Sequence, residues 1–112
     1  MSDLTTKDYY SITFKKLSIK QKDIKIILDG IKQSKKDNIL IDMSGVKSCC
    51  NNFFRMFEKI NKKISLINAD SEILATLYMM NFDKYIKIYN EKISYLAKKN
   101  ELKKNHLVIV NY

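Results

Sequence analysis

The chain has 112 residues, 46% of them hydrophobic and 29% charged. That is enough chain for one domain with a real core and no need of disulfides or structural metal, and no apolar run nears the roughly 18 residues of a membrane span. The formal net charge is +9, from 21 basic and 12 acidic residues, but twenty of the basic residues are lysines scattered along the chain and only Arg55 is arginine. Scattered lysine predicts a solvated surface rather than a nucleic-acid footprint, which gathers its cations on one face. The opening "MSDLTTKDYY" has no basic and apolar leader pattern, so a cytoplasmic protein with a flexible segment over residues 1–8 is expected.

"YYSITFKKL", Tyr9 to Leu17, alternates apolar residues at Tyr10, Ile12 and Phe14, as a strand does. "KQKDIKIILDGIKQSKKD" comes next, with Ile24, Ile27, Leu28 and Ile31 at i, i+3, i+4 and i+7, the apolar stripe of a helix. Gly30 falls inside this helix and is expected to weaken it. "NILIDM", Asn38 to Met43, is apolar without alternation, which predicts a strand covered on both faces. Ser44 to Cys50 reads as a turn. From Asn51, a helix is predicted by Phe53, Met56, Phe57 and Ile60, with Asn51 or a residue before it as N-cap.

"KISLIN", Lys63 to Asn68, is a second buried-type strand. "ADSEILATLYMMN" then predicts a helix capped by Asp70 or Ser71, with Ile73, Leu74, Leu77 and Tyr78 on its apolar face. "YIKIYN", Tyr85 to Asn90, alternates as a strand. "EKISYLAKKNELKKN" reads as a basic helix with a thin apolar stripe at Ile93, Leu96 and Leu102, and "HLVIVNY", residues 106–112, as a terminal strand. Five strands alternating with four helices predict one α/β domain over residues 1–112, with a mostly parallel mixed sheet and about four flanking helices.

One stretch, "DMSGVKSCCNNFF", carries the candidate chemistry. Cys49 and Cys50 are adjacent, so their Cα atoms lie about 3.8 Å apart, closer than the roughly 4.4 to 6.8 Å of ordinary disulfides. His106 is the only histidine, and no zinc-type ligand spacing or nucleophile–base set is present, so no cofactor and no enzymatic activity are expected. Among the three nearby phenylalanines, Phe53 and Phe57 are spaced as core, while Phe54 lies off that stripe and is the better candidate for a contact residue, though partial burial is expected of it too.

Asp42-Met43-Ser44-Gly45-Val46 is similar to the D-L-S-G-V strand end of the STAS domain, the fold of bacterial anti-sigma-factor antagonists. The order of elements from about Ile12 to Lys98 resembles that family as well. The resemblance implies a non-enzymatic regulatory module that docks on a protein partner, an anti-sigma-factor kinase or a related scaffold. A variant of the same implication is the small subunit that supports the ATPase of a bacterial lipid-transport complex. In the family a D-S-S-G or D-S-T-G motif comes next, and one of its hydroxyls is phosphorylated. Laid on this chain, that motif puts Cys50 at the aspartate, Asn51 and Asn52 at the hydroxyls and Phe53 at the glycine. Asparagine cannot accept the phosphate, so the switch is expected to be silent, with Ser48 as the nearest hydroxyl for a shifted site. The docking loop implied is Ser48, Cys49, Cys50, Asn51, Asn52, Phe53 and Phe54. The terminal strand lies beyond the matched region, and it either extends the sheet or pairs with a second copy. A lysine-driven interaction with nucleic acid is the competing class.

Overall fold

A computed structural model describes residues 8–93 and 105–111. Its elements in order are β1 (Tyr9–Lys15), β2 (Ser18–Ile19), α1 (Gln21–Gln33), β3 (Asn38–Asp42), β4 (Ser48–Cys49), α2 (Asn51–Arg55), a 3-10 turn (Met56–Lys59), β5 (Lys63–Ile67), α3 (Ser71–Met79), a second 3-10 turn (Phe82–Lys84), β6 (Ile86–Tyr89) and β7 (His106–Val110). The main sheet has the order β6-β5-β3-β1-β7, and every pairing in it is parallel. The chain walks one way across the sheet from β1 to β6, and β7 then takes the free edge of β1. The terminal strand therefore extends this sheet, in register from Ser11 opposite His106 to Lys15 opposite Val110. The helix predicted from residue 91 is not begun by residues 91–93, and its remainder lies outside the described residues, as do residues 1–7.

The three described helices cover one face of the sheet. Ile12, Phe14, Ile39, Ile41, Ile64, Leu66, Ile86 and Ile109 point from the strands into a single core with Ile24, Ile27 and Ile31 of α1, Phe53 of α2 and Ile73 and Leu77 of α3. Successive parallel crossovers of one hand, walking in one direction, put their helices on one face. The other face carries a smaller cluster of Tyr9, Leu40, Ile67 and Ile93, with Tyr89 against it. This explains the unbroken apolar run of β3. Ile39 and Ile41 face the helices, Leu40 faces the opposite side, and all three are fully buried.

Gly30 has a packing role that helix propensity does not reveal. A Cβ built on it would stand 2.8 Å from the Tyr10 hydroxyl and 2.9 Å from Leu107 Cδ2, so the missing side chain lets α1 sit close over β1 and β7. At the far end of α1, Lys62 Nζ donates to the carbonyls of Ile31 (2.9 Å) and Ser34 (2.7 Å). A cation thereby satisfies backbone oxygens that the helix leaves unpaired.

The start of α1 is held by a buried charge pair. Lys16 Nζ lies 2.5 Å from Asp23 Oδ2, and the two side chains are 2% and 0% exposed. The same carboxylate oxygen accepts the Lys20 N–H at 2.8 Å, so it also serves an orphan donor at the helix start. Removing one member of such a pair strands a charge in a dry site. Lys16→Met is expected to lower stability by about 3–5 kcal/mol in urea denaturation, and Lys16→Met with Asp23→Leu by much less. A Lys16→Met protein as stable as the parent would show that the pair holds nothing.

Candidate functional site at the carboxyl ends of the strands

The segment that opens "DMSGV" is a structural bracket. Asp42 Oδ1, at the end of β3, accepts the Ser44 N–H (3.0 Å), the Ser44 hydroxyl (2.7 Å) and Asn68 Nδ2 (3.0 Å). Val46 N–H donates back to the Met43 carbonyl at 3.0 Å, closing a tight turn in which Gly45 takes φ of +82°. A side chain at Gly45 would meet no atom, so the glycine is required by its backbone angle and not by crowding. Asn68, at φ of +58°, also holds both backbone groups of Ile93. Its Nδ2 donates to the Ile93 carbonyl and its Oδ1 accepts the Ile93 N–H, each at 2.6 Å.

The loose turn expected over Ser44 to Cys50 is shorter and more ordered than its sequence suggests. Only Met43–Val46 turns, after which Ser48–Cys49 pairs in parallel with Ser18–Ile19 as β4 on β2. Lys47 and Ser48 N–H both donate to the Leu17 carbonyl (2.7 and 3.2 Å), Cys50 N–H donates to the Ile19 carbonyl (2.9 Å), and the Ser18 and Ser48 hydroxyls share a hydrogen bond of 2.7 Å. Strand pairing of two residues is too short to leave any periodicity in sequence. It nevertheless makes a fixed ledge beside the amino ends of α1 and α2.

The structure divides the predicted site residues into two groups. Ser48, Asn51 and Asn52 are exposed, and Asn52 Nδ2 donates to Gln21 Oε1 of α1 at 2.7 Å. Cys49 and Cys50 are half-buried. Phe53 and Phe54 are buried, and Phe53 packs edge-on against both Phe54 and Phe57, with ring centroids 5.6 and 5.3 Å apart. Phe54, the better contact candidate of the three by its spacing, is a core residue, buried more fully than the partial burial expected of it. A long amphipathic helix has one wet side, whereas α2 is a five-residue helix running straight into a 3-10 turn whose Met56 and Phe57 are also buried. The N-cap of α2 is Cys50, through its backbone and with no side-chain cap bond, so Asn51 is the first helical residue and not the cap.

Sequence reasoning misses Leu17. It is 66% exposed, and its carbonyl is the acceptor on which β4 hangs. Its signal lies in the alternation of β1. Continuing the alternation of Tyr10, Ile12 and Phe14 puts Lys16 inward and Leu17 outward, the reverse of what polarity alone prefers. The buried partner of Lys16 and the exposure of Leu17 are two sides of that one inversion.

The electrostatics of the ledge oppose thiol chemistry. Burial, then the neighbouring Cys50, pushes the Cys49 thiol up to about 12. Asp70 caps α3, and the Glu72 N–H that it accepts at 3.0 Å holds its carboxyl below the usual range, with Lys47 Nζ 3.4 Å away assisting. No group of three or more His, Cys, Asp or Glu residues among the described residues is placed to hold a metal ion. No helix among them is long and apolar enough to cross a membrane. Comparison with protein-family models, curated proteins and solved structures finds no match for this chain. The fold and site define a parallel α/β domain with a hydrogen-bonded ledge at the carboxyl ends of its strands.

A thiol near 12 is about one part in ten thousand thiolate at pH 8, against roughly a quarter for an ordinary cysteine. In a Cys50→Ser protein, Cys49 is expected to react with iodoacetamide at least ~100-fold more slowly than a free cysteine at pH 8, and to gain rate steadily up to about pH 10. Labelling followed by intact-mass spectrometry reads this directly. A rate that levels off near pH 7 would mean an activated thiol.

Proposed function

We propose that this chain is a non-enzymatic protein-binding regulatory module whose docking surface is the β2–β4 ledge with the amino end of α2. The observation that carries the reading is Leu17, an apolar side chain 66% exposed on backbone that the paired strands β2 and β4 hold in place. Ser18, Lys47 and Ser48 border it through the paired backbone, and an exposed apolar side chain with a polar surround is a surface on which a partner can dock. Rigid backbone also means that little ordering entropy is lost on docking.

The resemblance of Asp42 to Val46, and of the order of elements, to STAS domains supports an anti-sigma-factor kinase or related ATPase as the partner. With Asn51 and Asn52 at the hydroxyl positions, binding is constitutive, without the charge that phosphate would add at the start of α2. Ser48 shares its hydrogen bond with Ser18 and serves the ledge as structure. The half-buried cysteines fill space beneath it.

Capture from the native organism with the chain as bait, followed by mass spectrometry, tests the reading when run beside a Leu17→Asp variant. The parent is expected to retain a histidine-kinase-like ATPase, and Leu17→Asp to lose at least about tenfold of it, a difference of ~1.4 kcal/mol. Phosphopeptide analysis of the same material is expected to find Ser48 unmodified. Retention of a transporter ATPase would favour the lipid-transport alternative. Equal retention by parent and variant would remove the ledge as the docking surface, and salt-sensitive binding of random RNA or DNA in its place would favour the nucleic-acid reading.

A further inference from the structure

A second surface lies round the corner from the ledge, and its chemistry differs. A groove of about 580 Å³ runs between α1 and the segment formed by α2 and the first 3-10 turn. Ile24, Ile31 and Met56 are buried beneath its base, and half-buried Leu28 and Ile60 are the apolar side chains left open at its surface. One end is closed by the bridge from Asn52 to Gln21, and the other by Lys62 on the last carbonyls of α1.

The walls carry a strong positive excess. Lys25 and Lys32 stand on the α1 side, Arg55 and Lys59 on the other, and with Lys62 they make five cations against the single carboxylate of Asp29. Lys25, Lys32, Arg55 and Lys59 are exposed, and none of them forms an ion pair among the described residues, where the three ion pairs use Lys16, Lys36 and Lys47. The sole arginine of the chain is among these four, a side chain suited to gripping a carboxylate with two hydrogen bonds.

The spacing of these charges selects the ligand. Lys25 and Lys32 are two helical turns apart on one line, about 10 Å along the axis of α1. Arg55 and Lys59 repeat the arrangement at shorter spacing on the facing wall. A single phosphate or carboxylate head group engages one or two of these positions and leaves the others idle. A single-stranded nucleic acid would meet the cations with its backbone but find no aromatic ring among the lining residues on which to stack a base. An amphipathic helix uses the cations and the apolar side chains together, with apolar residues at i, i+3/i+4 and i+7 along the base and acidic residues on its two flanks.

We infer that this groove binds an acidic amphipathic helix of a partner protein. The inference does not rest on the reading of the ledge, because the two surfaces share only the Gln21–Asn52 bridge.

Selection from a displayed library of helical peptides of about 15 residues, long enough to hold a helix when bound, supplies the probe while the partner is unidentified. Binders to the parent protein are expected to be enriched in Asp and Glu flanking an i, i+3/i+4, i+7 apolar line. Measured by fluorescence anisotropy, their affinity should fall at least about tenfold for Lys25→Glu with Lys32→Glu, and stay within about twofold for Leu17→Asp. Both lysines are exposed, so the double variant should stay folded, with a thermal midpoint only a few degrees below the parent's. Recovery of no binders, recovery of binders without acidic flanks, or equal binding by the charge-reversed protein overturns the inference. So does a single-stranded RNA that binds more tightly than the selected peptides and is lost on the same charge reversal.

Discussion

One oxygen of Asp42 accepts three hydrogen bonds, and the architecture of the functional end of this domain depends on it. It ends β3, starts the turn that aims Val46 inward and β4 back toward β2, and holds Asn68 at the end of β5. Asn68 in turn holds the backbone of Ile93, which packs on the second face of the sheet. A carboxylate is suited to this because, ionised, it offers several acceptor sites and no donor. The elements that it joins are far apart in sequence, so the bracket converts the ends of separate strands into one rigid platform.

The parts of the fold that are legible in the sequence are those governed by burial on a regular period. The run Ile39–Leu40–Ile41 announces a strand buried on both faces, and Ile24, Ile27 and Ile31 announce the inner side of α1, because one long element and one packing direction produce each pattern. Features set by contacts between elements leave weaker traces. Lys16 and Asp23 are both charged and look like surface until β1 and α1 are brought together. The two-residue ladder of β2 and β4 is shorter than any period. Phe54 escapes the stripe argument because a helix of five residues can be covered on more than one side. Gly30 reads as a flaw in a helix and is a point of close approach.

The same distinction applies to charge. The excess of lysine has no pattern along the chain, and in the folded molecule its members have different roles. Lys16 neutralises a buried carboxylate, Lys62 caps a helix, and Lys25 and Lys32 line one wall of a groove. Net charge therefore describes the composition of this surface and not its use, because folding sorts like residues into unlike environments. Two surfaces with different chemistry, one neutral and backed by paired backbone, one cationic around half-buried apolar side chains, meet where Gln21 and Asn52 join the starts of two helices.

The position of β7 has a kinetic consequence. Its neighbour in the sheet is β1, and the side-chain contact between Thr13 and His106 spans 93 positions of sequence. Until residues 106–110 are available, β1 has an unpaired edge while β3 and β5 are paired on both sides. Parallel pairing between such distant segments carries a large loop-closure cost, which slows folding and prolongs the exposure of that edge to other chains. A nascent or partly unfolded molecule thus exposes an edge along Tyr9–Lys15, a strand that the finished sheet keeps in its interior.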